Sequence, residues 1–200
     1  LKNFSLYTWD GKAKGLDDQL NIPIHNPREM NTNWREIETK VNKDTIYKRM
    51  FNSLIKGTKI DSSSIIKALI SFELQLISNT SKYDKYLENK TSLNEDERAG
   101  FAIMNDESRG NCFSCHSLEV KTLKQTKQFA NNGFATSISR LYPDEGLFLT
   151  TKKIDDKYKF KIPTLRNLAY TGPYMHNASV AWLDFVITYY DSQIVYNDAI

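Results

Sequence analysis

The chain has 200 residues and a mass of 23.1 kDa, which is enough for one or two compact domains with a buried core. Hydrophobic residues make up 40% of it and charged residues 26%, a balance that argues against a disordered or fibrous protein. The net charge of +3 is too small to indicate a nucleic-acid-binding protein. No stretch reaches the ~20 apolar residues of a membrane-spanning helix, and the first ten residues carry no export signal.

The first half of the chain predicts two helical regions. Residues 27–55 combine apolar anchors with a helix-compatible charge pattern, and Pro27 suits a first helical turn. Asp61 and the serines that follow it are N-cap candidates ahead of a wide apolar stripe that continues to Leu76. This second pattern predicts one long buried helix.

The second half predicts two more helices, separated by loops. Ser92 and Glu95 have the spacing of a capping box at the start of a helix, and Gly110 ends that helix just before the cysteines. Residues 117–162 contain turn signals and no sustained period, whereas residues 180–190 become helical again. The predicted fold class is therefore mainly α with long loops.

Both cysteines of the chain fall in one short motif, Cys112-Phe113-Ser114-Cys115-His116. On a helical turn Cys112, Cys115 and His116 project from one face, which suits two thioether bonds to a c-type haem and a nitrogen below its iron. A disulfide, a structural zinc site and a chance match are the alternatives. Zinc is weakened because no second ligand pair occurs, and a redox dithiol because no strand is predicted before the motif. The motif predicts haem attachment, which favours a periplasmic location.

A haem iron ligated by His116 has a sixth position, which is open or filled by a protein side chain. Each candidate for this position could equally be a core side chain. The candidates are Met104, Met175, His176, Tyr189 and Tyr190.

Ordered motifs across nearly the whole chain resemble the bacterial di-haem cytochrome c peroxidases and their relative MauG, an oxidase that acts on a protein substrate. The resemblance implies a cytochrome c-like haem domain. The motifs that carry it are residues 9–13, Gln19, residues 26–30, 66–76, 83–87, 112–116, 160–167 and 171–176.

The resemblance implies catalytic roles for three residues. Trp9 matches a tryptophan that couples two haems electronically, although a plain core aromatic is the alternative. Gln19 and Glu29 match polar residues of the peroxide pocket, where a carboxyl group moves a proton between the peroxide oxygens. The alternative for Glu29 is a first-turn glutamate that is favoured by the helix dipole.

The resemblance also implies two metal-binding features. The backbone carbonyls of Thr171 and Pro173 match positions that help to hold a calcium ion between domains. Tyr190, fourteen residues after His176, matches the second axial ligand of the haem on Cys112 and Cys115. Methionine is usual there, and tyrosine is typical of MauG-like members. A phenolate stabilises oxidised iron, so the predicted haem has a lower potential than a His/Met haem.

One departure from the family concerns the number of haem motifs, since the family has two and this chain has one. Because the sequence opens on Leu1 without a methionine, we expect the N-terminal haem domain to be missing from it. We also expect residues 198–200 to stop before the family's last helix. We interpret residues 1–60 as an inter-domain and active-site wall segment and residues 61–200 as a c-type cytochrome domain.

The predicted function is that of a di-haem peroxidase, which reduces hydrogen peroxide with electrons from a cytochrome c or a cupredoxin. The alternatives are a MauG-like haem oxidase of a protein substrate and a non-enzymatic single-haem electron-transfer cytochrome. The resemblance is also compatible with a homodimer, and nothing in the sequence indicates a nucleic-acid partner.

Overall fold

The protein is described by a computed structural model that covers residues 4–54, 59–116, 128–135 and 143–194. Both chain ends and two parts of the predicted loop region, 117–127 and 136–142, lie outside the described residues. Across the described ranges, no helix has the length and apolar character needed to span a membrane.

The prediction of a mainly α fold is confirmed. The strands β1 (Phe129–Ala130) and β2 (Phe160–Lys161) form one short antiparallel pair. Short 3-10 turns cover Ile154–Asp156 and Leu168–Tyr170, and a π-helical turn covers Tyr189–Gln193. The α-helices are α1 (Leu16–His25), α2 (Trp34–Lys43), α3 (Thr45–Leu54), α4 (Ser62–Glu73), α5 (Lys82–Leu87), α6 (Glu95–Asn105), α7 (Phe113–His116), α8 (Phe148–Thr151) and α9 (Leu183–Thr188).

The described residues group into two compact units. The first contains residues 13–54 and 59–77, and the second contains residues 4–12 together with the described residues from 78 onward. This division differs from the one we drew between residues 60 and 61. The helix α4 packs against α1 and α2, so it folds with the first unit.

In the first unit, the region predicted as a helix over residues 27–55 is instead two helices. The side chain of Asn33 accepts a hydrogen bond from the Glu36 N–H at 3.1 Å, and this cap starts α2 at Trp34. Pro27 lies in the turn before that cap and not in a helix. The backbone is extended at Asp44, which separates α2 from α3.

The N-cap prediction for α4 is confirmed, but its predicted length and burial are wrong. The Asp61 carboxylate accepts a hydrogen bond of 2.9 Å from the Ser64 N–H. The helix ends at Glu73, and Ile65 is its only buried residue. Phe72 is 61% exposed and lines an open groove together with Phe51 and Leu54 of α3.

In the second unit, aromatic packing joins α5, α6 and α7. The ring of Phe101 lies 5.8 Å from Tyr83, 6.1 Å from Tyr86 and 5.9 Å from Phe113 between centroids. The helix predicted after Ser92 is confirmed as α6, but its N-cap lies two residues later than predicted. Asn94 and Glu97 form the capping box, with reciprocal hydrogen bonds of 2.8 Å.

Candidate haem-attachment site

The cysteine motif forms the helical turn that its spacing predicts. The N–H groups of Cys115 and His116 both donate to the carbonyl of Cys112, at 3.3 and 2.9 Å. Gly110 lies just before this turn, and its N–H donates to the Ile103 carbonyl at 3.1 Å. A Cβ at residue 110 would lie 2.6 Å from that carbonyl oxygen, so only glycine permits this close approach.

Cys112 and Cys115 are not joined by a disulfide bond. Burial raises the pKa of the Cys112 thiol, which favours its protonated form. Among the described residues, no group of three or more His, Cys, Asp or Glu side chains is arranged to hold a metal ion, so no ligand set for a structural zinc ion is found there.

The imidazole of His116 is oriented by a backbone carbonyl. Its Nδ1 lies 3.0 Å from the carbonyl oxygen of Pro163, and since that oxygen can only accept, Nδ1 carries the proton. Burial lowers the pKa of His116, although this hydrogen bond opposes the effect. The neutral ring therefore has its lone pair on Nε2, which is the state that an iron ligand requires.

Pro163 is fixed on both sides by the surrounding structure. Before it, β2 pairs with β1, and the Ile162 N–H donates to the Gln128 carbonyl at 2.8 Å. After it, the guanidinium of Arg166 binds both carboxylate oxygens of Asp84 at 2.6 and 2.8 Å. This bidentate pair holds the pKa of Asp84 far below its usual range.

Two tyrosines at the end of α9 meet one asparagine. Tyr189 is 5% exposed, and its hydroxyl donates to the backbone carbonyl of Asn132 at 2.8 Å. The Tyr190 hydroxyl accepts a hydrogen bond of 2.9 Å from the Asn132 side-chain amide. Burial raises the pKa of Tyr190; the asparagine lowers it, and the nearby thiols of Cys115 and Cys112 raise it further.

The other candidates for the sixth position have different surroundings. His176 stacks on Phe160 with 3.7 Å between ring centroids, and burial lowers its pKa. The Met175 sulfur lies 4.0 Å from the Asn132 amide nitrogen. Met104 is partly buried on α6.

The donor set fits a c-type haem. Cys112 and Cys115 supply two thiols on one turn that form no disulfide, and His116 on the same turn supplies a neutral imidazole. A further feature is the Arg166 Nε, a buried donor with no hydrogen-bond partner among the described residues. A haem propionate is one group that would satisfy it, since buried polar atoms are generally hydrogen-bonded.

Trp9 belongs to the same compact unit as the cysteine motif. Its backbone carbonyl accepts a hydrogen bond of 3.0 Å from the Lys161 N–H. Gly11 follows with φ of +69°, and a Cβ there would lie 2.8 Å from Leu147, so the Trp-Asp-Gly turn requires glycine. The Trp9 side chain is 43% exposed and is not a core aromatic.

Gln19 and Glu29 lie in the first compact unit. Gln19 is half-buried on α1, and Glu29 is exposed in the turn between α1 and α2. The Asn26 side-chain amide donates to the Glu29 carboxylate at 2.6 Å. The helix-dipole interpretation of Glu29 is wrong, because α2 begins only at Trp34.

Thr171 and Pro173 are exposed on either side of Gly172. Two neutral carbonyls supply only part of the six to eight oxygens that calcium takes. No cluster of carboxylates among the described residues completes the set. The calcium site therefore stays a prediction.

Sequence reasoning missed four residues that shape this site. Pro163 and Arg166 lie within a motif that supports the family resemblance, but nothing in the pattern links them to His116 and Asp84. Asn132 was interpreted as a turn residue. Its contact with a tyrosine 58 positions away leaves no periodic signal in the sequence.

The sequence model of the family described as "Di-haem cytochrome c peroxidase" matches residues 2–92. The methylamine utilization protein MauG of Methylophilus methylotrophus is 28% identical over 198 residues, which cover 98% of this chain and 57% of that protein. The cytochrome c551 peroxidase of Nitrosomonas europaea is 31% identical over 177 residues, covering 88% of this chain and 51% of that protein. The chain thus spans about half the length of these curated relatives.

Similarity to solved structures extends to the fold. The crystal structure of a MauG-like protein associated with microbial copper homeostasis superposes with a TM-score of 0.80 at 30% identity. The match covers 98% of this chain and 62% of that one. The predicted cytochrome c-like fold and family resemblance are both confirmed, since the chain is similar over most of its length to di-haem cytochrome c peroxidases and to MauG proteins.

Proposed function

We propose that this chain is part of a di-haem oxidoreductase that reduces hydrogen peroxide with electrons from a small redox protein. The observation that carries the proposal is the helical turn that holds Cys112, Cys115 and His116, with the His116 Nδ1 proton held by the Pro163 carbonyl. Similarity to cytochrome c peroxidases supports peroxidase chemistry as the reaction class.

A bound haem c supplies a redox-active iron that takes up and passes on single electrons. In the proposal, Cys112 and Cys115 hold it through thioether bonds, and His116 and Tyr190 are its axial ligands. The Pro163 carbonyl keeps the proton on Nδ1 of His116, so Nε2 stays available to the iron. Arg166 Nε is the proposed donor to a propionate.

Three residues have proposed roles in the reaction with peroxide. Glu29 takes a proton on a carboxylate oxygen and returns it, and its exposure leaves that oxygen accessible. The Gln19 amide binds and orients peroxide in the same pocket. Trp9, whose indole is 43% exposed, couples this haem to the second haem of the family, which the resemblance assigns to sequence outside these 200 residues.

A MauG-like oxidase of a protein substrate is the second candidate, and Tyr190 is the observation that favours it. An anionic oxygen ligand stabilises ferric iron, so it suits an enzyme that works through more highly oxidised haem rather than through a reduced electron-entry haem. The MauG relatives support this candidate equally.

The finer parts of the proposal concern partners, location and calcium. The electron donor is a cytochrome c or a cupredoxin, and the parent protein is periplasmic, where haem attachment to such thiols usually occurs. Assembly as a homodimer is part of the same proposal. A calcium ion at Thr171 and Pro173 would need further oxygen ligands.

Counting haems in the parent protein tests the proposal most directly. A pyridine haemochrome assay with an intact mass is expected to give two haems per chain, and the protein is expected to oxidise reduced cytochrome c when peroxide is added. One haem per full-length chain would overturn both enzymatic candidates and leave a single-haem electron-transfer cytochrome. Replacing Cys112 and Cys115 together with serine should remove one of two haems.

A further inference from the structure

Asn132 makes hydrogen bonds with both tyrosines after α9, and also contacts the Phe134 N–H and the Met175 sulfur. Its backbone carbonyl accepts from the Tyr189 hydroxyl at 2.8 Å. Its side-chain oxygen accepts from the Phe134 N–H at 3.2 Å, and its side-chain nitrogen donates to the Tyr190 oxygen at 2.9 Å. One residue thus holds consecutive tyrosines through different atoms.

These bonds fix which way the Asn132 amide faces. The Phe134 N–H can only donate, so the atom of the amide that faces it must be the oxygen. The nitrogen then faces Tyr190 and can only donate, so the Tyr190 oxygen must accept. Because the Tyr190 oxygen is the acceptor, this contact does not depend on the phenol hydrogen.

The surroundings of Asn132 make this orientation rigid. Phe134 is 6% exposed, and its ring packs edge-on against Tyr189 at 5.2 Å between centroids. Phe134 also contacts His176, which stacks on Phe160 of β2. The Asn132 amide is therefore fixed by a packed aromatic cluster rather than by the surface loop that its sequence suggests.

We propose that Asn132 is a positioning residue that holds the Tyr190 oxygen at the haem. The inference rests on the proposed haem site, because it gives Tyr190 an iron to bind. Asn132 does not touch the haem in this proposal and acts through Tyr190. A side-chain donor beside Tyr190 is expected where the tyrosine oxygen ligates the haem iron. It is not expected where the sixth position of the iron is open.

A competing ligand tests the proposal in the haem-loaded parent protein. Exogenous imidazole must displace Tyr190 to bind ferric haem, so weakening the tyrosine should raise the apparent imidazole affinity. For Asn132→Ala we expect an increase of about tenfold, which corresponds to the loss of one hydrogen bond to a charged oxygen. Asn132→Asp keeps an acceptor for Phe134 but has no N–H, so it should raise the affinity at least as much and guards against a folding defect in the alanine variant.

Two further variants make the outcome specific. Asn131→Ala removes the neighbouring asparagine, whose side-chain oxygen accepts from the Gly133 N–H at 2.9 Å, and should leave imidazole affinity unchanged. In a Tyr190→Phe background, Asn132→Ala should have no further effect. Equal affinity in Asn132→Ala, Asn132→Asp and wild type would overturn the role of Asn132 while leaving the haem site in place. If Tyr190→Phe itself changed neither the affinity nor the ferric spectrum, the proposed axial ligand and this inference would both fail.

Discussion

The backbone carbonyl of Trp9 accepts a hydrogen bond from the N–H of Lys161, two residues before the proline whose carbonyl orients His116. One three-residue segment, 161–163, therefore holds both the turn that carries Trp9 and the proposed haem ligand. A displacement of β2 would therefore move both the Trp9 turn and the His116 ring, because the Lys161 N–H and the Pro163 carbonyl are backbone groups.

The stability of the fold should rise with pH because of the Lys161 side chain. Its Nζ lies 3.8 Å from the ring centroid of Phe4 and 4.7 Å from that of Tyr7, and burial lowers its pKa to about 8. The unfolded chain holds the proton up to the ordinary lysine pKa near 10.4, so folding gains stability as pH rises from about 8 to 10.4.

Lys161→Met should abolish that gain. Between pH 8 and 10.4 the wild type should gain about 1–2 kcal/mol of unfolding free energy relative to the variant, after allowance for solvent screening of a partly exposed group. Urea unfolding at both pH values measures the difference. Lys12→Met, at an exposed lysine of the same unit, should follow the wild type. Parallel pH profiles for wild type and Lys161→Met would contradict the burial effect.

The sequence predicted the features that depend on neighbouring residues. The turn over the cysteine motif and the Asp61 cap both rest on spacings of three or four residues, and both occur in the structure. The α6 cap was wrong because Asn94 and Glu97 have the same capping spacing as Ser92 and Glu95 and complete both bonds of the box.

Features that depend on distant residues could not be predicted. The orientation of His116 depends on a carbonyl 47 residues away, and the fixing of that carbonyl depends on an ion pair across 82 residues between Asp84 and Arg166. Backbone carbonyls have no residue-type signature, and a single Asp or Arg has many potential partners. Periodicity likewise identified the apolar stripe of α4, but not whether another element covers it.

Substitution by alanine should have opposite effects on stability at Gly110 and Gly100. Gly110→Ala would bring a Cβ within 2.6 Å of the Ile103 carbonyl oxygen, and should cost about 1–3 kcal/mol because backbone must shift. It should also lower the yield of haem attachment, since this turn presents Cys112. Gly100→Ala, inside α6 with no atom within 4 Å, should instead stabilise the fold by about 0.5–1 kcal/mol. Thermal unfolding compares the two, and a Gly110→Ala protein as stable as wild type would contradict the close approach.

The ion pair between Asp84 and Arg166 predicts an acid-sensitive contribution to stability. Its side chains are only 12% and 17% exposed, so Asp84→Asn, which leaves the guanidinium unpaired, should cost about 2–4 kcal/mol at pH 7. Because the pair lowers the pKa of Asp84, the contribution is present above the ordinary Asp pKa of about 3.9 and is lost as pH falls.

Unfolding free energies at pH 7 and pH 2.5 test both parts of this prediction. The difference between wild type and Asp84→Asn should shrink at the lower pH. Glu88→Gln removes an exposed pair with Lys90, whose side chains are 57% and 69% exposed, and should cost less than about 0.5 kcal/mol. A pH-independent difference for Asp84→Asn would show that packing, not charge, accounts for the loss.

The substitution Glu29→Gln tests the proposed role of Glu29 as a proton carrier. The amide preserves shape and can still contact Asn26, but it cannot take up and release a proton. Peroxide turnover by the parent protein should fall by about 10²–10⁴-fold, with haem content unchanged. Glu107→Gln, at another exposed glutamate, should retain the wild-type rate. Full activity in Glu29→Gln would remove the residue from the peroxide reaction.

Substitutions at the two tyrosines after α9 test which one ligates the haem. Tyr190→Met exchanges an anionic oxygen for a neutral sulfur, so the midpoint potential of this haem should rise by tens to hundreds of millivolts in redox titrations of the parent protein. Tyr189→Phe removes a buried hydroxyl that already donates to the Asn132 carbonyl, so it should lower stability by about 1 kcal/mol and leave the potential near that of wild type. The reverse pattern, with the potential following Tyr189, would move the ligand by one residue. If Tyr190→Met also retained protein-oxidising activity, the tyrosine would not be what makes this protein MauG-like.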